Sequence, residues 1–438
     1  MSSDRVRQIL DGDVSFFNGS TAPQATGWLH HPERYFDEWL DDIDTRLPRR
    51  YSRTLLLGIG GSSSAARLYA DWRHEGSLRV IDTSHPDSVA KLEFHDTTVI
   101  ASSKSGVTLE TQALLAHALA HGLSPEDLVI ITDPGTTLAE FGESLGALVV
   151  SGDPHTGGRY ASLSPFGLVP ALYAGWSPEE LREELGGCYV TDDLVARAVD
   201  DATDLADALE EGAAFFSLGA DPITSGGARW LEQLVAESTG KAGRGFIPVV
   251  SGPVALYRPS DVQYYHLLAA MLAWQLGVDP FNQPDVEFAK KEVFTLLDGP
   301  VSWEGASYDD AELEKALANT SYVALQAYAP LESASELAGL RVDVECEYGP
   351  TTANLGPRYL HSTGQLHKGG PTSVVGLQII QRPHVAPQRI QGRSYSFHDL
   401  HMAQANADYR AMAAAQRPVY QIMVDDVAEA RSVLGLFS

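Results

Sequence analysis

The stretch Arg53-Thr-Leu-Leu-Leu-Gly-Ile-Gly-Gly-Ser-Ser-Ser64 decides the predicted fold, because a short apolar run leads directly into glycines and serines. An uninterrupted apolar run of this length is typical of a strand that is buried on both faces of a parallel sheet. Residues 64–72, which follow it, have apolar side chains at helical spacing. The stretch therefore predicts a strand, a tight turn and a helix, which together begin a parallel α/β sheet.

The same pattern recurs toward the C-terminus. Apolar runs of strand length lie at residues 77–82, 97–102, 127–132 and 147–151, with helical stretches between most of them. The longest of these helical stretches covers residues 108–122. Strands that alternate with helices predict a parallel sheet covered by helices on both faces.

A second unit of the same kind begins near residue 200, after an acidic helical stretch at residues 179–212. Its predicted helices cover residues 225–240, 261–276 and 286–297, and its predicted strands cover residues 213–219, 246–250, 321–327, 341–347 and 374–380. We therefore predict an α/β protein with three parts. These are an N-terminal arm over residues 1–45 with one amphipathic helix, a first domain over residues 46–185, and a second domain with a C-terminal extension over residues 200–438.

The composition narrows the class of protein. The 438 residues include 31 Lys plus Arg and 58 Asp plus Glu, which gives a formal net charge of −27. An acidic surface repels nucleic-acid phosphates and anionic lipids, so we expect neither nucleic acid nor membrane as a partner. Cys188 and Cys346 are too few for a disulfide scaffold or a zinc site. No apolar run approaches the length of a membrane span and the N-terminus has no secretory pattern, so we expect a cytoplasmic protein.

Two hydroxyl-rich turns follow predicted strands. Residues 58–64 place glycines before the first turn of a helix, whose free N–H groups attract anions. Residues 101–111 gather serine, threonine and lysine side chains around the start of the next helix, and such groups suit the oxygens of a phosphate. Each turn alone can also be an ordinary strand-to-helix turn with capping serines. Because the carboxyl ends of parallel strands meet at one edge of the sheet, the two together favour a phosphate site.

Two single charged residues are candidates for the chemistry. Arg159 follows paired glycines, so a tight turn presents its guanidinium where it can stabilise an oxyanion. Glu237 lies near the end of an apolar helix, where a carboxylate is unfavourable to the helix dipole. We expect partial burial to raise its pKa toward that of a general base. The alternatives are a structural ion pair for Arg159 and a surface position for Glu237.

Two further candidates lie in the second half of the chain. Lys290 follows Pro284 on a predicted helix, and a solvated surface lysine is the alternative there. His361 and His367 lie in a glycine-rich polar run, a setting that suits an acid–base group. The six-residue spacing of these two histidines fits no standard pair of metal ligands, so we predict no metal site.

Taken in order, these motifs resemble those of glucose-6-phosphate isomerases. The motifs are Gly58-Ile-Gly-Gly-Ser, Ser103-Lys-Ser-Gly-Val-Thr-Leu-Glu-Thr, Gly157-Gly-Arg-Tyr, Glu237-Ser-Thr-Gly-Lys and Gln283-Pro-Asp-Val-Glu-Phe-Ala-Lys. The resemblance runs from about residue 50 to the C-terminus. It is closest to the isomerase half of bacterial transaldolase/glucose-6-phosphate isomerase fusions, which share the run from Arg358 to Gly370. It implies two sugar-isomerase (SIS) domains, each a parallel sheet flanked by helices on both faces, with the active site between them.

The resemblance also implies a role for each candidate. Glu237 would move a proton between C2 and C1 of the open-chain sugar, and Arg159 would stabilise the cis-enediolate. His361 would assist ring opening, with Lys290 near the ring oxygen. In ordinary members of the family the histidine segment comes before the lysine segment, whereas here it comes after. The substrate phosphate would be held by six residues, namely Gly61, Ser62, Ser103, Lys104, Ser105 and Thr108.

The activity that the resemblance implies is the reversible isomerisation of glucose 6-phosphate and fructose 6-phosphate, in glycolysis and gluconeogenesis. No metal or organic cofactor would be needed. The histidine in this family commonly comes from a neighbouring subunit, so we expect a homodimer. One alternative is an isomerase of another anionic aldose, such as mannose 6-phosphate or a sulfonated sugar. The other is a non-catalytic sugar-phosphate-binding regulator, which would have no need of a base.

Overall fold

The computed structural model describes Gln8 and residues 25–49, 51–73, 77–212, 214–251, 258–303 and 310–436. Most of the predicted N-terminal arm, residues 1–7 and 9–24, lies outside the described residues. The described part of the arm forms two short helices, His31–Tyr35 and Glu38–Arg46, where we predicted one.

The first sheet consists of five parallel strands. They are β1 (Arg53–Leu57), β2 (Leu78–Ile81), β3 (Thr97–Ser102), β4 (Leu128–Thr132) and β5 (Leu148–Ser151). Their order across the sheet is β2-β1-β3-β4-β5. The intervening helices are Gly61–Arg73, Pro86–Val89, Leu109–Ala120 and Thr137–Leu145. All five predicted strands are confirmed. Strands β3 and β4 are buried along their whole length, and a strand buried on both faces has a continuous apolar sequence.

Hydrophobic cores lie on both faces of this sheet. Leu56 of β1 and Ile100 of β3 belong to one core, and their neighbours Leu55 and Val99 belong to the other. Successive side chains of a strand point to opposite faces, so the two cores share the strands between them. The predicted three-layer arrangement is therefore confirmed for this sheet.

The second half of the chain contributes six more parallel strands in two sheets. They are β6 (Phe215–Ser217), β7 (Ile247–Val249), β8 (Tyr322–Tyr328), β9 (Thr351–Leu355), β10 (Val374–Gln381) and β11 (Val419–Val424). Strands β6 and β7 pair with each other, and the other four have the order β11-β10-β8-β9. The helices Pro165–Tyr173 and Pro178–Glu184 follow β5 and come before this half of the chain. The helices that accompany the six strands are Asp192–Glu210, Gly226–Thr239, Val262–Gln275, Glu287–Leu297, Asp310–Ala318, Ala334–Tyr348, Gly364–Gly369, Phe397–Ala414 and Ala430–Val433.

The predicted strand at residues 341–347 is wrong, because this segment belongs to the helix Ala334–Tyr348. Valines alternate with charged residues there, which is the pattern of a strand. The residues that are buried, however, include Leu337, Leu340 and Val344, and their spacing of three and four is that of a helix face. Strands β9 and β11 were not predicted.

The helix Gly226–Thr239 connects the two halves of the molecule. It is buried along its whole length and packs against the helix Gly61–Arg73, which follows β1. It also packs against the helix Gly364–Gly369 of the second half. Residues on this helix therefore face both halves at once. None of the helices in the described ranges is long and apolar enough to cross a lipid bilayer.

Candidate active site

Three glycine-containing turns meet at the carboxyl end of the first sheet. Strands β1 and β3 are neighbours, and a Cβ atom on Gly58 would lie 2.9 Å from the backbone oxygen of Ser102. A Cβ atom on Gly61 would lie 2.4 Å from the carbonyl of Gly158. Gly60 has a φ of +63°, in the region that favours glycine. The two hydroxyl-rich turns and the turn before Arg159 are therefore brought together, and side chains at these glycines would separate them.

The hydroxyl groups of the second turn are arranged as a pair. The hydroxyls of Ser103 and Thr108 lie 2.8 Å apart. Ser62 of the first turn and Ser103 are both buried, whereas Ser105 is exposed. The first five of the six predicted phosphate residues lie on the two adjacent turns, and Thr108 is at the N-cap position of the helix Leu109–Ala120, without a capping hydrogen bond from its side chain.

Lys104 binds a carboxylate that follows β4 and a backbone carbonyl that follows β5. Its Nζ lies 2.5 Å from Asp133 Oδ2 and 2.6 Å from the backbone oxygen of Asp153. Burial lowers the pKa of the Lys104 ammonium below its usual value, although the charge of Asp133 opposes that shift. Lys104 thus contributes a charge that is largely balanced by Asp133.

Arg159 and Glu237 form a buried ion pair. The Nε of Arg159 lies 3.1 Å from Oε2 of Glu237, but its N–H does not point at that oxygen as a hydrogen bond requires. The other guanidinium nitrogens bind the segment before Lys290, with Nη2 at 2.8 Å from Gln283 Oε1 and Nη1 donating to the carbonyl of Pro280. Arg159 therefore connects the first sheet, the Glu237 helix and the Gln283 segment.

The expectation of a raised pKa for Glu237 is wrong. Burial alone would raise the pKa of this carboxyl, but the charge of Arg159, a hydrogen bond from Gln233 and the nearby His361 outweigh it. The pKa is therefore held below its usual value. A carboxylate that is ionised at neutral pH is available to accept a proton, so the lowered pKa is compatible with a base.

His361 is placed beside Glu237 by two connections. Gln233 Nε2 donates to Glu237 Oε2 at 3.1 Å and to the backbone oxygen of His361 at 2.8 Å. The His361 imidazole Nε2 lies 3.3 Å from Glu110 Oε1. A Cβ atom on Gly60 would lie 2.8 Å from the Cβ of His361. His361 therefore faces the glycine turn of β1, despite its late position in the chain.

The ion pair of Lys290 is with a residue of its own helix. Its Nζ lies 2.7 Å from Glu287 Oε1, one turn earlier on the helix Glu287–Leu297, and its side chain is 41% exposed. No hydrogen bond or ion pair in the described part of the chain joins Lys290 to Glu237, Arg159 or His361.

Three residues in this region were not singled out from the sequence. Gln233 precedes Glu237 by one helical turn, and that spacing was the available signal. Glu110 is separated from its partner His361 by 251 residues, which no local pattern reveals. Lys241 donates to the backbone oxygen of Ser238 at 3.0 Å, and burial lowers the pKa of its ammonium to about 6, helped by repulsion from Arg159.

The group provides a base, a cation and an imidazole within one buried region. A carboxylate beside a guanidinium can move a proton while a developing oxyanion is stabilised. The hydroxyls and N–H groups of the adjoining turns can hold an anionic group of the substrate. In the described ranges, no group of three or more His, Cys, Asp or Glu side chains is arranged to hold a metal ion.

Glu232, on the same helix as Glu237, gives a prediction for stability. Its Oε2 accepts a hydrogen bond of 2.7 Å from Asn354 Nδ2, and burial raises the pKa of its carboxyl from 4.5 to about 7. Because the folded-state pKa is raised, stability falls as the pH increases from about 4.5 to about 7 and stays lower above that. The loss is on the order of 3 kcal/mol.

We therefore expect Glu232→Gln to stabilise the protein at about pH 8 and to change little at about pH 4.5, because glutamine keeps the acceptor and cannot ionise. Urea unfolding of both proteins at the two pH values measures this difference. A stability difference that does not change with pH would show that Glu232 does not titrate differently on unfolding.

Comparison with known proteins gives relatives of one kind. No family model matches the chain. The chain is 26% identical over 227 residues to the glucose-6-phosphate isomerase of Campylobacter jejuni. The matched region covers 47% of this chain and 54% of that protein. It is 34% identical over 171 residues to the glucose-6-phosphate isomerase of Thermus thermophilus, and this matched region covers 34% of this chain and 39% of that protein. The chain spans about half the length of the curated relatives it matches, or less.

Solved structures give weaker similarity. A glucose-6-phosphate isomerase from Chlamydia trachomatis superposes with a TM-score of 0.46 at 16% identity, over 61% of this chain and 73% of that one. A hypothetical protein from Thermus thermophilus superposes with a TM-score of 0.35 at 19% identity, over 99% and 86%. At TM-scores below 0.5 neither superposition establishes a shared fold. The sequence matches, by contrast, come from several proteins that share the name glucose-6-phosphate isomerase, so part of this chain is similar in sequence to part of those proteins.

Proposed function

We propose that the protein is an enzyme that isomerises glucose 6-phosphate and fructose 6-phosphate through a cis-enediol intermediate, in glycolysis and gluconeogenesis. The observation that carries the proposal is the buried pair of Arg159 and Glu237, with 3.1 Å between Nε and Oε2. Relatives named glucose-6-phosphate isomerase support the same activity. A regulator that only binds a sugar phosphate has no use for a buried base of this kind.

The substrate phosphate is anchored at the two turns that follow β1 and β3. Gly61 and Ser62 offer the N–H groups at the start of the helix Gly61–Arg73, and Ser103 and Thr108 offer hydroxyls 2.8 Å apart. An anion at such a helix start is stabilised by unpaired N–H groups and the helix dipole. In this proposal Lys104 and Ser105 complete the site, with Lys104 acting through its charge because Asp133 holds its ammonium.

Proton transfer is assigned to Glu237. Its carboxylate takes the proton from C2 of the open-chain aldose, and the electron pair left behind forms the enediolate with charge on the carbonyl oxygen. The Arg159 guanidinium stabilises that charge. The hydroxyl proton on O2 then passes to O1, and the same carboxyl group returns its proton to C1, which yields the ketose and restores the carboxylate. The reaction is balanced with no oxidant or reductant.

Ring opening is assigned to His361. Glu110 orients the imidazole through the contact of 3.3 Å between His361 Nε2 and Glu110 Oε1. A carboxylate partner of this kind fixes the direction in which the imidazole points, and an imidazole can transfer a proton to the ring oxygen. Lys290 is left out of this step, because its ammonium pairs with Glu287 on an exposed face.

We also propose the setting in which the enzyme works. Residues 46–185 and 200–438 act as its two sugar-isomerase domains, with Arg159 from the first and Glu237 from the second in contact. A homodimer in the cytoplasm is the expected form, on the resemblance to the family and on the acidic composition, with a formal net charge of −27.

A coupled assay with the purified full chain tests the proposal. Fructose 6-phosphate is supplied, the formation of glucose 6-phosphate is followed, and mannose 6-phosphate is assayed in parallel. We expect turnover of fructose 6-phosphate well above that of mannose 6-phosphate. Absence of turnover, together with a thermal shift on adding fructose 6-phosphate, would instead support a sugar-phosphate-binding regulator.

A further inference from the structure

A cavity lies near the amino-terminal part of the helix Gly226–Thr239, which carries Glu237. Its volume is about 270 Å³, and four arginines and one glutamate provide its charged lining. The four arginines are Arg67, Arg79, Arg229 and Arg358. None of them belongs to the two hydroxyl-rich turns, so the cavity is distinct from the site proposed for the substrate phosphate. Four cations around one small cavity are unusual in a chain whose formal net charge is −27.

The carboxylate of Asp82 is buried and lies near three of these arginines, but its shortest hydrogen bonds are to one of them, Arg67. Asp82 accepts hydrogen bonds from Arg67 at 2.8 Å and 3.1 Å. The same carboxylate lies 3.5 Å from Arg358 Nη1 and 3.9 Å from Arg229 Nη1. The latter two side chains are 4% and 8% exposed, and their other hydrogen bonds go to neutral acceptors. Arg229 donates to the backbone oxygens of Pro222 and Ile223, and Arg358 donates to Asn354 Oδ1 at 3.2 Å. The Nε of Arg358 has no hydrogen-bond partner among the described residues.

The remaining acidic groups leave an excess of positive charge. Glu332 lies 3.8 Å from Arg79, but it also pairs with Lys91 at 3.4 Å and accepts a hydrogen bond from Ser88. Glu232 does not line the cavity, and its carboxyl group accepts a hydrogen bond of 2.7 Å from Asn354 Nδ2. Buried cations that share a single carboxylate are costly, and guanidinium groups are suited to the oxygens of phosphate. The cavity therefore has the positive charge and the hydrogen-bond donors to receive an anion.

We propose that this cavity binds a small polyanion that carries phosphate groups. Arg67 and Arg79 are the more exposed of the four arginines, at 23% and 50%, and they form the entrance. Arg229 and Arg358 are the buried cations toward which the anion is drawn. The walls between them include Ile223 and Leu355, which can contact a short carbon skeleton. This binding does not depend on the proposed isomerase activity.

Isothermal titration of the full chain with pyrophosphate tests the proposal, in a buffer without phosphate. Arg79→Gln removes a half-exposed charge and leaves the buried network intact, so we expect it to fold and to weaken binding about tenfold. Arg46→Gln is the matched control, because Arg46 is 51% exposed, pairs with Asp42 on the helix Glu38–Arg46 and does not line the cavity. We expect this control to bind pyrophosphate like the unchanged protein.

Ser103→Ala separates the cavity from the substrate site. We expect this variant to keep the pyrophosphate binding that Arg79→Gln weakens. Binding that Ser103→Ala abolishes and Arg79→Gln leaves unchanged would put the anion at the strand ends and overturn the proposal. Absence of measurable pyrophosphate binding to the unchanged protein would overturn it as well, whether or not the protein isomerises fructose 6-phosphate.

Discussion

Glu237→Gln should lower kcat for fructose 6-phosphate by about 10²- to 10⁴-fold, which is the usual contribution of a general base. Glutamine has nearly the same shape as glutamate and still accepts the hydrogen bond that Gln233 donates at 3.1 Å. What it cannot do is accept the proton from C2. The loss should therefore appear in kcat, whereas KM changes little, because the missing group acts mainly in the transition state.

Glu232→Gln is the matched control for this experiment. Glu232 lies on the same buried helix and is fully buried as well, but its carboxyl group contacts Asn354 and not Arg159. The same chemical change at this position should leave turnover near its original value. If Glu237→Gln retained normal turnover, Glu237 would not be the base. If both variants lost turnover equally, the cause would be disturbance of the helix.

The strands of the first sheet could be predicted because their apolar residues are contiguous, and β3 and β4 are buried along their whole length. A strand that is buried on both faces has a continuous apolar sequence, so it is recognised without an alternation of apolar and polar residues. The helix Ala334–Tyr348 could not be read in this way, since its alternating valines and charges imitate a half-buried strand. Strand β9, Thr351–Leu355, is fully buried although it contains two threonines and an asparagine. Its neighbours in the sheet, and not its own composition, make it a strand.

The candidate site was predictable where one motif supplies one side chain, and less so where two distant segments meet. Arg159 and Glu237 were each identified locally, but their pairing depends on how two halves of the chain pack. The same holds for the pKa of Glu237, because the largest contribution that lowers it comes from the tertiary contact with Arg159. Lys104 was expected from its motif to bind phosphate, and its partner Asp133 comes from the end of the next strand.

Arg159→Lys should lower kcat/KM by about 10²- to 10³-fold, which is the usual cost of losing one group that stabilises an oxyanion. The guanidinium touches Glu237, Gln283 and the carbonyl of Pro280 at once, through three different nitrogens. A lysine ammonium keeps the charge but is a single point, so it cannot keep all of these contacts together. Steady-state kinetics with fructose 6-phosphate measures the loss.

Arg417→Lys distinguishes a catalytic effect from a structural one. Arg417 is also buried, and it binds the backbone oxygens of Lys368 and Gly370 at 3.0 Å and 2.8 Å, with no contact to Glu237. Both substitutions remove hydrogen bonds to buried carbonyls, so both should lower the melting temperature. Only Arg159→Lys should also slow turnover. A melting temperature that falls equally in both variants, with equal loss of kcat/KM, would mean that Arg159 serves the fold and that another group stabilises the enediolate.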